Sequence, residues 1–254
     1  MKNIEESLIR AGNLNVNPLT VYGADEIPAG AVPMCSIDTC VAKGILMAAL
    51  DDNIPALYIG KDSLKGCCLG AMSWLGFVEP NKYIKYFVST GHDKFRKGEA
   101  EYLKASPEIF EKWKEYLGEI NTPGKYLVIS KVSDLSADSD IKSFVCFGNG
   151  ESIRNLSSLI HFRSINPFNV ISMPMGPACA TLVTYPARMA ENTPKGMVFV
   201  GPVDPTGNSW FPADYMAMGI PLDMAIKINE DLENSFVNKR PNIAYPKQRE
   251  HIID

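Results

Sequence analysis

The clearest transition from strand to helix in this 254-residue chain is Ser143-Phe144-Val145-Cys146-Phe147-Gly148-Asn149-Gly150-Glu151. The apolar run over 143–147 predicts a buried strand, and the glycines predict a turn into a helix that ends near Phe162. A second strand is expected over 169–173. Gly176-Pro177 then opens another helix, because proline is favoured at the first helical position. This alternation of short strands and helices indicates a mixed α/β protein.

The first half of the chain shows the same order of elements. Residues 32–37 predict a strand, a helix follows to about Leu50, and residues 56–60 predict the next strand. A helix of small residues is expected over 67–76. We therefore expect an α/β or α+β fold with a mixed sheet and short helices, in which two weakly similar halves pack as one compact unit.

This internal repeat suggests a pairing of cysteines between the halves. In the alignment by order of elements, Cys35 corresponds to Cys146, and Cys67 or Cys68 corresponds to Cys179. The alignment also divides the chain into three regions. They are a first half over 1–98 with Cys35, Cys67 and Cys68, a helical connector over 99–124, and a second half over 125–254 with Cys179. The connector is expected to hold a helix over 99–117, and residues 83–89 are expected to form a strand.

Composition excludes several classes of function. The chain is 46% hydrophobic and 21% charged, with a net charge of −4 and no basic face, so we expect no nucleic-acid partner. Residues 1–9 predict an amphipathic helix rather than a signal peptide, and no apolar run approaches the ~20 residues of a membrane span. We expect a cytoplasmic protein, in which the six cysteines stay reduced and free for metal binding or catalysis.

The cysteines are the leading candidates for chemistry. Cys67, Cys68 and Cys179 lie at the starts of predicted helices, where the helix dipole is expected to lower a thiol pKa. With Cys35, they form a candidate set of soft ligands for an iron–sulfur cluster or another soft metal. Cys146, on an apolar strand, and Cys40, in an apolar helix, are expected to be packing residues. The first functional hypothesis is a thiolate-centred metal or iron–sulfur protein with a redox or cofactor-handling role.

A second hypothesis places a metal-free ligand in the cleft between the halves. Its candidate binding residues are Gly148 and Asn149 in the first turn quoted above, Gly176, and Asp204 in the loop over 201–208. The expected partners are a small molecule or a redox partner, and the sequence is compatible with a homo-oligomer.

A third hypothesis makes Cys179 the nucleophile of an enzyme, with His161 as the only plausible base. Pro177 removes one backbone N–H that could stabilise an oxyanion there. Whether the chain is an enzyme at all is left open by the sequence.

Several motifs resemble, in order, those of the archaeal conserved region family, domain of unknown function 169. They are Phe147–Glu151, Pro174–Cys179, Val183–Pro186, Asp204-Pro205 and, in the first half, Cys67–Ala71 followed by Leu75–Phe77. The resemblance covers roughly residues 30–225. It implies no established activity, but the cysteines that match are Cys35 or Cys40, Cys67 or Cys68, and Cys179. The family is common in anaerobes, which would suit an oxygen-sensitive cluster.

Overall fold

A computed structural model describes residues 1–191, 196–202, 204 and 210–239. The strands within these ranges are β1 Leu19–Ala24, β2 Val32–Pro33, β3 Leu57–Ile59, β4 Tyr126–Lys131, β5 Asp140–Asn149, β6 Ile171–Ser172, β7 Val198–Gly201 and β8 Tyr215–Pro221. They form one mixed sheet in the order β2-β3-β4-β1-β5-β8-β7-β6. The expected mixed sheet with short helices is therefore confirmed.

Helices cover both faces of this sheet. Those within the described ranges are α1 Lys2–Gly12, α2 Val41–Leu50, α3 Leu69–Trp74, α4 Ile84–Phe87, α5 Pro107–Leu117, α6 Gly150–Ile160, α7 Tyr185–Glu191, α8 Leu222–Asp231 and α9 Phe236–Lys239. A π-helical turn, Ala180–Thr184, leads directly into α7, and 3₁₀ turns include Met34–Ser36 and Lys61–Lys65. In this described part of the chain, none of the helices is both long and apolar enough to cross a membrane.

The strand order of the first half recurs in the second. Counted outward from the centre, the first half runs β1, β4, β3, β2 and the second runs β5, β8, β7, β6. In each half the outermost pair is parallel and the inner pairs are antiparallel. The halves meet where β1 pairs with β5 in antiparallel register. Two topologically matching halves thus share one continuous sheet.

This topology changes the expected pairing of cysteines between the halves. Cys146 lies within β5, whereas Cys35 lies in the 3₁₀ turn after β2, so these two residues do not occupy matching strands. Cys40 follows Val32 of β2 by eight residues, and Cys179 follows Ile171 of β6 by eight residues. Each therefore lies just before or at the start of the helix that leaves the outermost strand. The residue that matches Cys179 is Cys40, rather than Cys67 or Cys68.

Local patterns explain where other predicted elements differ. Residues 83–89 were expected to form a strand but contain α4, because Ile84, Phe87 and Val88 have the spacing of one helix face. The predicted strand over 32–37 stops at Pro33 and continues as the 3₁₀ turn. The expected helix over 99–117 is shorter, since α5 begins where Ser106 caps the helix through the Ile109 N–H.

Strand β4 was not predicted, and it places the topological division of the chain later than residue 124. It pairs with both β3 and β1, so it belongs to the first half of the sheet. The segment between β3 and β4, which includes α3, α4 and α5, is a long insertion between two strands of that half. The corresponding connection in the second half, between β7 and β8, spans only 202–214.

Two apolar cores lie on opposite faces of the sheet. Side chains alternate along β5, so Phe144 and Cys146 face one core while Val145 and Phe147 face the other. The first core also contains side chains of α1, α6 and α8. The second contains side chains of α2, α3 and the π-helical turn, and this is the face on which most of the cysteines lie.

Candidate functional site

Five of the six cysteines gather on one face of the sheet. They come from both halves: Cys35 and Cys40 follow β2, Cys67 and Cys68 precede α3, and Cys179 precedes the π-helical turn. Cys67 and Cys179 belong to one buried apolar core, and Cys35 packs against it. Cys68 is exposed and Cys40 is half-buried. We call these five residues the cysteine cluster.

One contact within the cluster joins the segments that carry Cys35 and Cys67. The Cys35 thiol is near enough to the Cys67 thiol to contribute to the rise in its pKa. Gly66 makes this approach sterically feasible, since a Cβ on Gly66 would lie 2.6 Å from both Cβ and Sγ of Cys35. The neighbouring Cys68 is linked to the segment that carries Cys40, because the backbone N–H of Cys68 donates to the carbonyl of Thr39 at 2.8 Å.

Burial, rather than the helix dipole, dominates the pKa of Cys67 and of Cys179. It is the largest of the effects that raise the pKa of Cys67 to about 12, and the nearby Cys35 and Cys68 thiols act in the same direction. Burial also raises the pKa of Cys179, where Cys68 and Cys40 add to the increase and backbone N–H groups only partly offset it. The expected lowering of the thiol pKa by the helix start is therefore wrong for Cys67 and Cys179.

Burial also governs the pKa of Cys40, for which the sequence favoured a packing role while the family resemblance left it as an alternative to Cys35. Its pKa is raised by burial first, and the hydrogen bond from the backbone N–H of Lys43 at the start of α2 opposes that increase. The charge of Cys68 adds to the rise, so Cys40, Cys68 and Cys179 are close enough to act on one another. The sequence signal that would have identified Cys40 is its equal spacing with Cys179 from the outermost strand of each half.

Cys146 lies apart from the cluster. It is fully buried in the core on the opposite face, and burial alone raises its pKa. His161, the base suggested for Cys179, ends α6, which packs on that same opposite face. The structure thus places the candidate nucleophile and its candidate base on different sides of the sheet.

The cluster does not have the geometry of a formed metal centre. Within the ranges that the structure describes, no three His, Cys, Asp or Glu side chains are arranged so that they could hold a metal ion. Burial raises the pKa values of Cys40, Cys67 and Cys179 and so favours their neutral thiols. Any metal bound here would have to displace their protons and draw the side chains closer together.

The π-helical turn after Cys179 has a local cause. Pro186 in α7 has no N–H to donate to the preceding turn and its ring crowds the carbonyl there, so the helix widens. Strand β8 passes close by at Gly219, where a Cβ would lie 2.3 Å from Pro186 and 2.7 Å from the carbonyl oxygen of Thr181. The Thr181 hydroxyl is buried and has no hydrogen-bond partner among the described residues.

The residues predicted to bind a cofactor lie at one edge of the sheet. Strands β5, β6 and β7 run in the same direction, and Gly148-Asn149, Gly176 and Asp204 lie at or just beyond their carboxyl ends. After β5 the chain enters α6 on one face, whereas after β6 it enters the π-helical turn on the other. Ligands of α/β sheets usually bind at the carboxyl ends of the strands, near helices that leave to opposite faces.

The observed roles of these residues are structural. The Asn149 side chain accepts a hydrogen bond from the Ser152 N–H at 3.0 Å and so caps α6. Gly148 packs against Ser152, and Gly176 lies against the Tyr185 hydroxyl at a φ of 151° that favours glycine. Asp204 is buried. Of the predicted loop, residues 203 and 205–208 lie outside the described part of the chain.

A separate cavity of about 220 Å³ lies between the 119–123 segment and the helix that follows Cys179. Val183, Thr184 and Arg188 form one wall and Leu75 contributes to another, so the cavity borders the same core as the cluster. The Arg188 guanidinium donates to the carbonyl of Leu117 and fixes the end of α5 to this helix. Sequence reasoning missed this cavity because its walls come from distant segments.

Comparison with known proteins gives one family. A family model, DUF169, described as an uncharacterised ArCR, matches residues 7–231. Neither the curated proteins nor the solved structures contain a significant match. The matched range includes every strand of the sheet and all five residues of the cysteine cluster. The chain therefore belongs to the DUF169 family.

Proposed function

We propose that the cysteine cluster binds a soft metal ion or an iron–sulfur cluster through thiolates. The observation that carries this proposal is the convergence of five thiols, contributed by both halves of the fold, on one face of the sheet. Thiolate sulfur is the preferred ligand of zinc, copper(I) and iron–sulfur centres. The related role is redox chemistry or the handling of such a cofactor.

The arrangement of the ligands suits this chemistry in two respects. Cys35 and Cys67 already lie side by side, so two donors need little movement. Cys68 is exposed and lies near enough to Cys40 and Cys179 to act on the pKa of both thiols. Each neutral thiol that binds as a thiolate releases one proton, so metal binding weakens as the pH falls.

The first test is anaerobic purification of the full chain, followed by metal analysis and a visible absorption spectrum. A bound iron–sulfur centre gives a coloured protein, whereas zinc gives stoichiometric metal without colour. Protein that lacks metal is then titrated with Cd²⁺, and the thiolate-to-metal charge-transfer absorption is followed. A colourless, metal-free protein that shows no such absorption and no change in stability on chelation would reject the proposal.

Matched variants separate the cluster from the other thiol. Cys68→Ser removes an exposed member of the cluster and is expected to weaken Cd²⁺ binding at least ~10-fold, the scale on which losing support for a metal site acts. Cys146→Ser changes the same chemical group on the opposite face and should leave Cd²⁺ binding unchanged. Equal effects of both substitutions would contradict a site built from the cluster.

A second candidate function is supported by the position of Gly148, Asn149, Gly176 and Asp204 at the carboxyl ends of β5, β6 and β7. There, a polar small molecule or cofactor would bind without metal, with Asp204 accepting hydrogen bonds from its hydroxyl groups. ATP and NAD are suitable probes in a thermal-shift measurement. A ligand at 100 times its dissociation constant stabilises the fold by about 2.7 kcal/mol.

The two functions respond oppositely to the same pair of variants. If the ligand binds at this edge of the sheet, Asp204→Asn should abolish the thermal shift and Cys179→Ser should retain it. If the cluster is the site, Cys179→Ser should weaken Cd²⁺ binding and Asp204→Asn should not. If neither ATP nor NAD produces a thermal shift, that result would count against a nucleotide site at this edge.

A further inference from the structure

We infer that Cys35 and Cys67 form a dithiol that undergoes thiol–disulfide exchange with low-molecular-weight disulfides and closes into an intramolecular disulfide. This activity goes beyond metal binding and does not depend on it. Gly66, the residue before Cys67, lies so close to Cys35 that a Cβ on it would be 2.6 Å from the Cys35 sulfur. Cys67 belongs to the apolar core against which Cys35 packs, and the Cys35 thiol is near enough to act on the Cys67 thiol.

Both backbones that carry the pair are held in place. On one side, the 3₁₀ turn of Cys35 is closed by the N–H groups of Ile37 and Asp38, which donate to the carbonyl of Met34. Met34 itself is fully buried and anchors this turn in the core. These backbone bonds and the burial of Met34 hold the turn that carries Cys35 against the core.

On the other side, the N–H groups of Gly66 and Cys67 both donate to the carbonyl of Ser63, at 3.1 and 2.9 Å. The Ser63 hydroxyl in turn accepts from the N–H of Gly60 at the end of β3. The absence of a side chain at Gly66 lets the two segments touch. Because the backbone bonds hold the two thiols near each other in one chain, the second step is intramolecular, which favours a disulfide over a mixed adduct.

The difference in exposure between Cys35 and Cys67 determines which thiol reacts first with the small disulfide. Cys35 is half-buried and meets solvent, whereas Cys67 is only 6% exposed. The Cys35 thiolate therefore attacks one sulfur of the small disulfide RSSR and expels RS⁻, which takes up a proton. Cys67 then loses its proton to solvent, attacks the Cys35 sulfur of the mixed disulfide and expels the second RS⁻. In total, two protein thiols are oxidised and RSSR is reduced to two RSH.

Cys68 is the natural competitor, because it is exposed and adjacent in sequence. Its N–H is bound to Thr39, and its sulfur lies on the side of Gly70, 3.5 Å from where a Cβ on that residue would be. Cys68 is therefore expected to collect a mixed disulfide without resolving it. The fate of the mixed disulfide therefore distinguishes a Cys35–Cys67 dithiol, which resolves it, from an ordinary exposed thiol, which retains it.

The test uses metal-free full-length protein in the presence of a chelator, with glutathione disulfide as the oxidant and peptide mapping of the products. The expected product contains a Cys35–Cys67 disulfide. In a Cys40→Ser, Cys68→Ser background, two glutathione thiols are released per chain. Adding Cys67→Ser to that background reduces the release to one and leaves glutathione on Cys35, while circular dichroism confirms that each variant is folded.

Other outcomes would overturn the inference. These are a stable glutathione adduct on Cys35 with Cys67 present, or a wild-type disulfide that joins a different pair. Because the chelated protein holds no metal, failure of metal binding would leave the result of this experiment unchanged. Conversely, a failed exchange reaction would leave the Cd²⁺ titration free to succeed.

Discussion

Replacing Gly66 with alanine should destabilise the fold by forcing apart the two segments that carry Cys35 and Cys67. The new Cβ would lie 2.6 Å from Cβ and from Sγ of Cys35, about 1 Å inside the ~3.5–4.0 Å separation of favourable contacts. Overpacking of this kind costs about 1–3 kcal/mol. The backbone of Gly66, at φ −122° and ψ −28°, is not in the left-handed region, so the contact with Cys35 is the main penalty.

Gly150→Ala is the matched control. Nothing lies within 4 Å of a Cβ at that position, and both substitutions restrict the unfolded chain equally. The difference between the two variants in the free energy of unfolding by urea therefore isolates the clash. With an unfolding entropy of about 2.1 cal/mol/K per residue, 1–3 kcal/mol corresponds to a difference in Tm of about 2–6 °C. A difference below about 0.5 kcal/mol, the scale of a neutral surface change, would refute the reasoning.

Three further predictions concern the acidity, packing and exposure of the same region. The pKa of Cys67 is raised to about 12 in the folded state, so the folded protein favours the neutral thiol. This preference stabilises the fold fully below the usual thiol pKa of about 8.5, and the stabilisation is lost as the pH rises toward 12. Cys67→Ala should therefore reduce the loss of urea stability between pH 9 and 10 by up to about 1.4 kcal/mol, and an unchanged slope would contradict that assignment. Thr184→Val removes the hydroxyl that donates to the Trp74 carbonyl at 2.6 Å and should lower the free energy of unfolding by about 1–2 kcal/mol, whereas no loss would mean that this bond adds nothing. Iodoacetamide should modify the exposed Cys68 at least ~10 times faster than the buried Cys179, as followed by peptide mass mapping; equal rates would overturn the difference in exposure.

The sequence carried enough information for the class of fold because its strongest local signals are also the central elements. The apolar run that begins at Ser143 became β5, which pairs with both halves of the sheet. The Gly176-Pro177 helix start was also correct. In contrast, β4 over Tyr126–Lys131 was missed, although its Leu-Val-Ile run is typical of a buried strand. The polar segments on either side of this run obscured its strand pattern.

The residues of the candidate site could be predicted from the sequence. The direction of the pKa shifts of its thiols and the match of cysteines between the two halves could not. Three of the predicted ligands, Cys35, Cys67 and Cys179, lie in or against one core, because thiols on small-residue helices tend to be buried together. The rise in the pKa of Cys67 and Cys179 depends on how much protein covers each sulfur, which is a tertiary property. The match between Cys40 and Cys179 was hidden because the long insertion between β3 and β4 has no equivalent in the second half.

The position of β1 at the centre of the sheet has a consequence for synthesis of the chain on the ribosome. Both neighbours of β1 are distant in sequence: β4 begins at Tyr126 and β5 at Asp140. At ~5–20 residues per second, a nascent chain needs about 5–20 s after β1 emerges before the first of these partners is made. During that interval both edges of β1 are unpaired, which is a condition that favours aggregation. Slowed translation between residues 25 and 125 would lengthen this exposure, and a chaperone that shields the N-terminal segment would shorten it.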